Sequence, residues 1–172
     1  MAYLAIDPGN VQSAWVIYEP RTRELLHHGL EPNAILLNRI VNQGWSRSDL
    51  ELKTPVLMAM ELIQSMGMAV GQTVFNTCIW TGRFVQAWLQ DHDERAVQYV
   101  SRREEKLHLC GSMRAKDGNI RQAIMDRYGS TRQLALGTKA NPGPLYGMAK
   151  DKWAAMAVAI TAYEGEPSDH TV

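Results

Sequence analysis

Apolar and polar positions in the first third of the chain predict a β-meander followed by a helix. Three runs there are rich in apolar, β-branched and aromatic residues: YLAID (3–7), SAWVIYE (13–19) and ELLHHGL (24–30). The turn formers Pro8 and Gly9 separate the first two runs. In residues 31–44 the apolar positions recur at helical spacing and stop at Gly44, which indicates a helix after the third strand.

The rest of the pattern predicts alternating strands and helices. TPVLMAME (54–61) is a continuous apolar run, which is typical of a strand buried on both faces, and AVQYVS (96–101) predicts a fifth strand. Helical patterns cover four further segments: 67–90, 102–109, 117–128 and 149–165. We therefore expect one α/β domain over residues 1–165, built on a mixed five-stranded sheet flanked by helices, and a loose tail over residues 166–172.

Length and composition agree with one globular domain, since the chain has 172 residues and 45% of them are hydrophobic. No apolar run approaches the roughly 18 residues that a membrane span needs, and the N-terminus lacks the features of a secretory signal. The cytoplasm is therefore the expected location, with no membrane partner. Cys78 and Cys110 have no CxxC spacing and are expected to stay reduced thiols.

Charge is unevenly distributed although the formal net charge is zero. Residues 101–140 carry nine Lys and Arg against four Asp and Glu, whereas residues 1–100 carry seven against ten. A locally basic segment is the electrostatic pattern that phosphate binding requires. It is also what a solvated helix face looks like, and the charge pattern alone leaves both explanations open.

Three acids stand at the ends of predicted elements. Asp7 ends the first strand, Glu61 ends the fourth, and Asp151 lies in the first turn of the last helix. Asp7-Pro8-Gly9 is also ordinary turn chemistry, which would explain Asp7 without any function. If the first and fourth strands are neighbours, however, the acids converge, and close like charges indicate bound Mg²⁺ or Mn²⁺. Two such ions roughly 3.5–4 Å apart hydrolyse phosphodiesters, so a nuclease is the natural hypothesis.

Three segments resemble the signature blocks of RuvC-type Holliday junction resolvases, which belong to the RNase H-like (retroviral integrase) superfamily. They are AIDPGNVQSAWVIYE, VLMAMELIQSMGMAVGQTV and MAKDKWAAMAVAITA, and the segment QYVSRREEKLHLCGSMRAKDGNIRQAIMDRYG is similar to phage and prophage members. The resemblance implies an RNase H-like fold and a homodimeric, Mg²⁺-dependent endonuclease that resolves four-way DNA junctions by paired symmetric cuts. It implies that Asp7 bridges two metal ions, that Glu61 holds one, and that Asp151 completes the site.

The last helix departs from the resolvase pattern, which carries two acids three residues apart. Asp151 matches the first acid, but Ala154 stands at the position of the second. Asp117 is a conceivable substitute, although an acid in the first turn of a helix more commonly serves the helix dipole. The departure leaves an alternative open, a protein that binds branched DNA with weak or lost nuclease activity. An actin-like ATP-binding protein would need two such domains, and this chain has room for one.

The resemblance also assigns the basic segment to DNA. Lysines ahead of the last helix would hold the scissile phosphate, with Lys116 favoured over Lys106, and apolar side chains after Glu61 would wedge the junction open. The expected DNA-binding residues are Arg102, Arg103, Lys106, Arg114, Lys116, Met66 and Met68. An aromatic series on the predicted second helix is expected to form core or dimer contacts: Phe75, Trp80, Phe84 and Trp88.

Overall fold

The computed structural model describes residues 1–45, 55–64, 67, 69–129 and 131–165. Its strands are β1 (Tyr3–Asp7), β2 (Gln12–Glu19), β3 (Glu24–Pro32), β4 (Leu57–Leu62) and β5 (Val97–Ser101). They form one sheet in the order β3-β2-β1-β4-β5. β1, β4 and β5 run parallel to one another, and β2 is antiparallel to both β1 and β3. The predicted mixed five-stranded sheet is confirmed.

Six α-helices complete the described part of the fold. They are α1 (Asn33–Val41), α2 (Gln72–Trp88), α3 (Arg102–Cys110), α4 (Asp117–Asp126), α5 (Arg132–Leu136) and α6 (Lys152–Glu164). The pattern missed α5, a single short helix that Thr131 caps by accepting a hydrogen bond from the Leu134 amide. It also missed the 3-10 turn Glu94–Ala96.

The last helix begins later than predicted, at a position that affects a candidate site residue. Asp151 is predicted in the first turn of the last helix, but it lies just before α6 and its side chain does not cap that helix. The reason is the backbone of Lys150, whose φ of 52° lies in the left-handed region and interrupts the helical path. The predicted tail over residues 166–172 lies outside the described residues.

Successive side chains along each strand point to opposite faces of the sheet, so the core has two layers. Tyr3 and Ala5 face α6, whereas Leu4 and Ile6 face α1 and α2. The α6 layer is rich in small side chains, and alanines in β1, β4 and α6 let this helix lie close over the centre of the sheet. The other layer is filled by large residues: Trp15, Ile17, Leu36, Ile40, Met58, Met60, Phe84 and Trp88. β4 is therefore buried on both faces, as its continuous apolar run predicts.

The aromatic side chains of α2 differ in their exposure to solvent. Phe84 and Trp88 are buried in the core, as predicted, whereas Phe75 on the same helix is 52% exposed. Cys78 and Cys110 are free thiols. Among the helices in the described ranges, none has the length and apolar character needed to cross a membrane.

Candidate functional site

The carboxyl ends of the parallel strands place Asp7 beside Glu61. β1 and β4 are neighbours, and their register pairs Ile6 with Met60. Asp7 and Glu61 are the next residues on the two strands, so they lie abreast at the same edge of the sheet. This edge is where parallel α/β sheets bind ligands, because loops and helix starts meet there.

The two acids share the face of the sheet that α6 covers. Side chains alternate along a strand, so Asp7 lies on the same face as Ala5, and Glu61 on the same face as Ala59. Both alanines belong to the core layer beneath α6. Asp151, at the entrance to α6, adds a third negative charge that acts on Asp7.

The surroundings of Asp7 favour its protonated form. Burial, the hydrogen bond with Glu61 and the negative charges of Glu61, Asp151 and Glu105 together raise its pKa to about 9, and burial is the largest cause. Among the described residues, no Lys or Arg forms an ion pair with Asp7, Glu61 or Asp151. The fold therefore gathers these three acids without an ion pair, although Glu61 is close enough to Arg102 for their charges to interact.

The loop after Asp7 is fixed by two buried polar side chains that the sequence analysis did not single out. The Gly9 amide donates to Ser13 Oγ (3.1 Å), Ser13 Oγ donates to Asn33 Oδ1 (2.7 Å), and Asn33 Nδ2 donates to the Gly9 carbonyl (2.8 Å). Ser13 and Asn33 are each 1% exposed. A Cβ on Gly9 would lie 2.2 Å from the Gln12 carbonyl oxygen, so the loop requires glycine at this position.

A fourth acid, Glu105, was also missed. It lies in the first turn of α3, directly after β5, and it is 0% exposed. Burial and the charge of Glu61 raise its pKa to about 8, although Arg102 opposes the shift. Two adjacent glutamates in the sequence gave no signal that one of them is buried: Glu104 completes a capping box with Ser101, and Glu105 pairs with Arg102 three residues before it.

The chemistry of the donor set fits a hard divalent cation, but the side chains are not arranged around one. Within the described ranges, no group of three or more His, Cys, Asp or Glu side chains has a geometry that could hold a metal ion. Asp7 and Glu61 instead share a hydrogen bond with each other. A cation would replace the shared proton and separate the two carboxylates, which offer the oxygen ligands that Mg²⁺ and Mn²⁺ prefer.

The predicted DNA-binding residues differ in their accessibility. Arg103, Arg114 and Lys116 are exposed, and Lys106 is half-buried. Lys116 lies at the start of α4, where its amide donates to Asn119 Oδ1 (2.9 Å). Met66 and Met68, the predicted wedge, lie outside the described residues.

Arg102 is engaged with protein rather than free for a phosphate. Its guanidinium donates to Glu105 Oε2 and to Asp117 Oδ1. Asp117, the conceivable substitute for an acid at position 154, is 89% exposed and forms its ion pair with Arg102. The structure therefore brings Asp7, Glu61, Asp151 and Glu105 into one electrostatic group and leaves Asp117 at its margin.

Comparisons with known proteins identify the fold. No protein-family model matches the sequence, and no curated protein matches it. The structure of Thermus thermophilus RuvC is 18% identical in sequence and superimposes with a TM-score of 0.61, covering 94% of this chain and 92% of that one. The T. thermophilus RuvC in complex with a Holliday junction substrate is also 18% identical, with a TM-score of 0.60 and coverage of 95% and 94%. The chain therefore has the RNase H-like fold of the RuvC structures.

Proposed function

We propose that the chain is a Mg²⁺-dependent endodeoxyribonuclease that resolves four-way DNA junctions, with its activity in one domain over residues 1–165. The observation that carries the proposal is the placement of Asp7 and Glu61 together at the carboxyl edge of the sheet, among further acids. Buried like charges repel unless protons or cations separate them. A junction nuclease needs cations at this place, and the fold likeness to a RuvC solved with a Holliday junction supports the same choice of substrate.

Asp7, Glu61 and Asp151 would hold the cations, two per site, with Mn²⁺ as a substitute for Mg²⁺. When bound, the ions activate a water molecule and stabilise the leaving oxygen of the phosphodiester. The chain's own residues set the geometry: Asp7 gives up its proton to become a ligand, and Ser13 and Asn33 hold the loop that fixes its position.

The exposed basic side chains of α3, α4 and the segment between them would bind the DNA backbone. Arg103, Arg114 and Lys116 are accessible for this role, with Lys106 half-buried beside them. Arg102 contributes less directly, because its guanidinium is already paired with two carboxylates. Paired symmetric cuts require two active sites, so we propose a homodimer, for which the exposed apolar side chains Phe75 and Ile79 of α2 offer a contact surface.

The test is cleavage of a synthetic four-way junction in Mg²⁺ by the wild-type protein and by Asp7→Asn. We expect the variant to bind the junction but to cut it at least about 100-fold more slowly, because the central ligand is lost. Asp126→Asn is the matched control, since Asp126 is exposed on α4 and accepts a hydrogen bond only from Gln122 among the described residues. Wild-type rates in Asp7→Asn would overturn the assignment.

Lys116→Ala tests the proposed phosphate contact. We expect single-turnover cleavage to fall by about 10-fold to 100-fold, more than junction affinity falls, because a charge close to the reacting phosphate stabilises the transition state. Lys139→Ala is the matched control, an exposed lysine in the loop between α5 and α6. Equal, small losses in both variants would show that Lys116 contributes only to general attraction for DNA.

A second function is favoured by one observation, the alanine at position 154 in place of an acid. A site short of one ligand would bind cations weakly and leave a junction-binding protein with little or no turnover. Such a protein would bind four-way junctions in preference to duplex DNA and leave them intact at every concentration of Mg²⁺ or Mn²⁺.

A further inference from the structure

We propose that Glu105 is a fourth carboxylate ligand of the cation site and supplies the oxygen that position 154 lacks. The inference rests on the proposed function, because it adds a residue to the same site. Three observations on the described residues carry it: the place of Glu105 at the sheet edge, the state of its carboxylate oxygens, and the packing of α3 against α6.

Glu105 lies at the edge that Asp7 and Glu61 define. β5 is the parallel neighbour of β4, and their register pairs Glu61 with Val100. The chain enters α3 two residues later, at Arg102, so the first turn of this helix begins beside the end of β4. The charge of Glu105 acts on Asp7, and the charge of Glu61 acts on Glu105.

One oxygen of this carboxylate has no partner in the described part of the chain. Glu105 Oε2 accepts from Arg102 Nη1, whereas Oε1 is buried without a hydrogen bond. Leaving a buried carboxylate oxygen unpaired costs free energy, and buried polar atoms in native proteins nearly always have a partner.

The helix that lacks an acid packs against the helix that carries this one. Positions 151 and 154 of the chain are three residues apart, a spacing that puts both on one side of a helix. Ala154 is half-buried there and offers a methyl group instead of a carboxylate. α3 contacts α6, so Glu105 lies on a helix next to the one that lacks the acid.

Mn²⁺ binding to the full chain, followed by calorimetry, tests the inference without depending on cleavage. We expect Glu105→Gln to bind Mn²⁺ on the order of tenfold more weakly than wild type, or with one ion fewer. We expect the double variant Glu105→Gln/Ala154→Asp to recover most of that loss, since it returns an acid to α6. Asp126→Asn should bind like wild type.

The outcomes separate this inference from the proposed function. Wild-type binding by Glu105→Gln would overturn the role of Glu105, and the proposed nuclease would stand if Asp7→Asn still lost Mn²⁺. Failure of the wild-type protein to bind Mn²⁺ would overturn both. If circular dichroism shows that Glu105→Gln does not fold, crystals of the wild-type protein soaked in Mn²⁺ decide: an ion on Glu105 Oε1 supports the inference, and an ion bound only by other residues contradicts it.

Discussion

Two acids near opposite ends of α6 meet opposite surroundings. Glu164, the last residue of the helix, accepts two hydrogen bonds from Arg127 Nη1 (2.6 and 2.5 Å) and lies 3.0 Å from His108 Nε2. Burial would raise its pKa, but the hydrogen bonds and charges of Arg127 and His108 outweigh burial and lower it. Asp7 lies beyond the other end of the helix, where burial and neighbouring acids all raise its pKa.

The difference separates an acid that the protein itself satisfies from one that it leaves among like charges. At Glu164 the fold supplies the positive charge itself, so the carboxylate is satisfied within the protein. At Asp7 the fold supplies more negative charge, so the site gains stability by taking up a proton or a cation. A buried acid whose pKa is strongly raised by neighbouring acids is a candidate for a functional site.

The contrast between Asp7 and Glu164 should have its largest effect on how the free energy of unfolding depends on pH in the absence of metal. The pKa of Asp7 is raised from 3.8 to about 9 and that of Glu105 from 4.5 to about 8, so the folded protein holds protons that the unfolded chain releases. The free energy of unfolding in EDTA should therefore fall as pH rises from about 4 to about 9. Asp7→Asn should be more stable than wild type at pH 9, and the advantage should vanish toward pH 4.

Denaturant unfolding across this pH range, with and without Mg²⁺, provides the measurement. Mg²⁺ should restore the wild-type protein at high pH and leave Asp7→Asn nearly unchanged, since a ligand stabilises only the state that binds it. If the free energies of unfolding of the two proteins depend on pH in the same way, the pKa of Asp7 is not raised, and the proposed difference between Asp7 and Glu164 is wrong.

Moving Asp7 relative to Glu61 should have the next largest effect. Gly9→Ala places a Cβ 2.2 Å from the Gln12 carbonyl oxygen, so the loop that Ser13 and Asn33 hold must shift. We expect cleavage to fall by about tenfold or more, because ligand geometry controls the activity of a metal site. Gly118→Ala is the control, since a Cβ there meets nothing within 4 Å. Full cleavage by Gly9→Ala would show that the loop does not position Asp7.

Breaking the Glu164 pair should have the smallest effect. Arg127→Gln should lower the free energy of unfolding by about 1 kcal/mol at pH 7, because both partners are about one quarter exposed and solvent screens them. The loss should shrink as pH falls below the ordinary range of a glutamate, since Glu164 then gains a proton and the pair is already lost. Junction cleavage should be unchanged, and a large loss of cleavage would contradict the structural role given to this pair.

The sequence predicted what depends on local pattern and on strand order. Asp7 and Glu61 end continuous apolar runs, so their place at the sheet edge follows once β1 and β4 are neighbours. Arg102 and Arg103 are both basic residues at the start of one helix, yet only Arg102 pairs with acids in the described structure. The pair with Glu105 is local, because Glu105 follows Arg102 by three residues on the same helix. The pair with Asp117 depends on how α3 packs against α4, which no run of residues records.

Glu105 could not be predicted for the same reason. Glu104 and Glu105 have the same helix propensity, and a capping box explains an acid in the first turn without distinguishing the two. Glu105 differs from Glu104 in being fully buried, and its burial arises from contacts between elements far apart in the sequence. Ser13 and Asn33 were missed likewise, because their hydrogen bonds join β2, α1 and the loop after β1 only in the folded chain.

The number of protons released on Mn²⁺ binding shows whether a cation takes the place of the proton shared at Asp7. Calorimetric titration near pH 7.5 in buffers of different ionisation enthalpy counts the protons released. We expect the wild-type protein to release about one proton or more per site and Asp7→Asn to release fewer. Tight binding of Mn²⁺ by the wild-type protein with no proton released would contradict it.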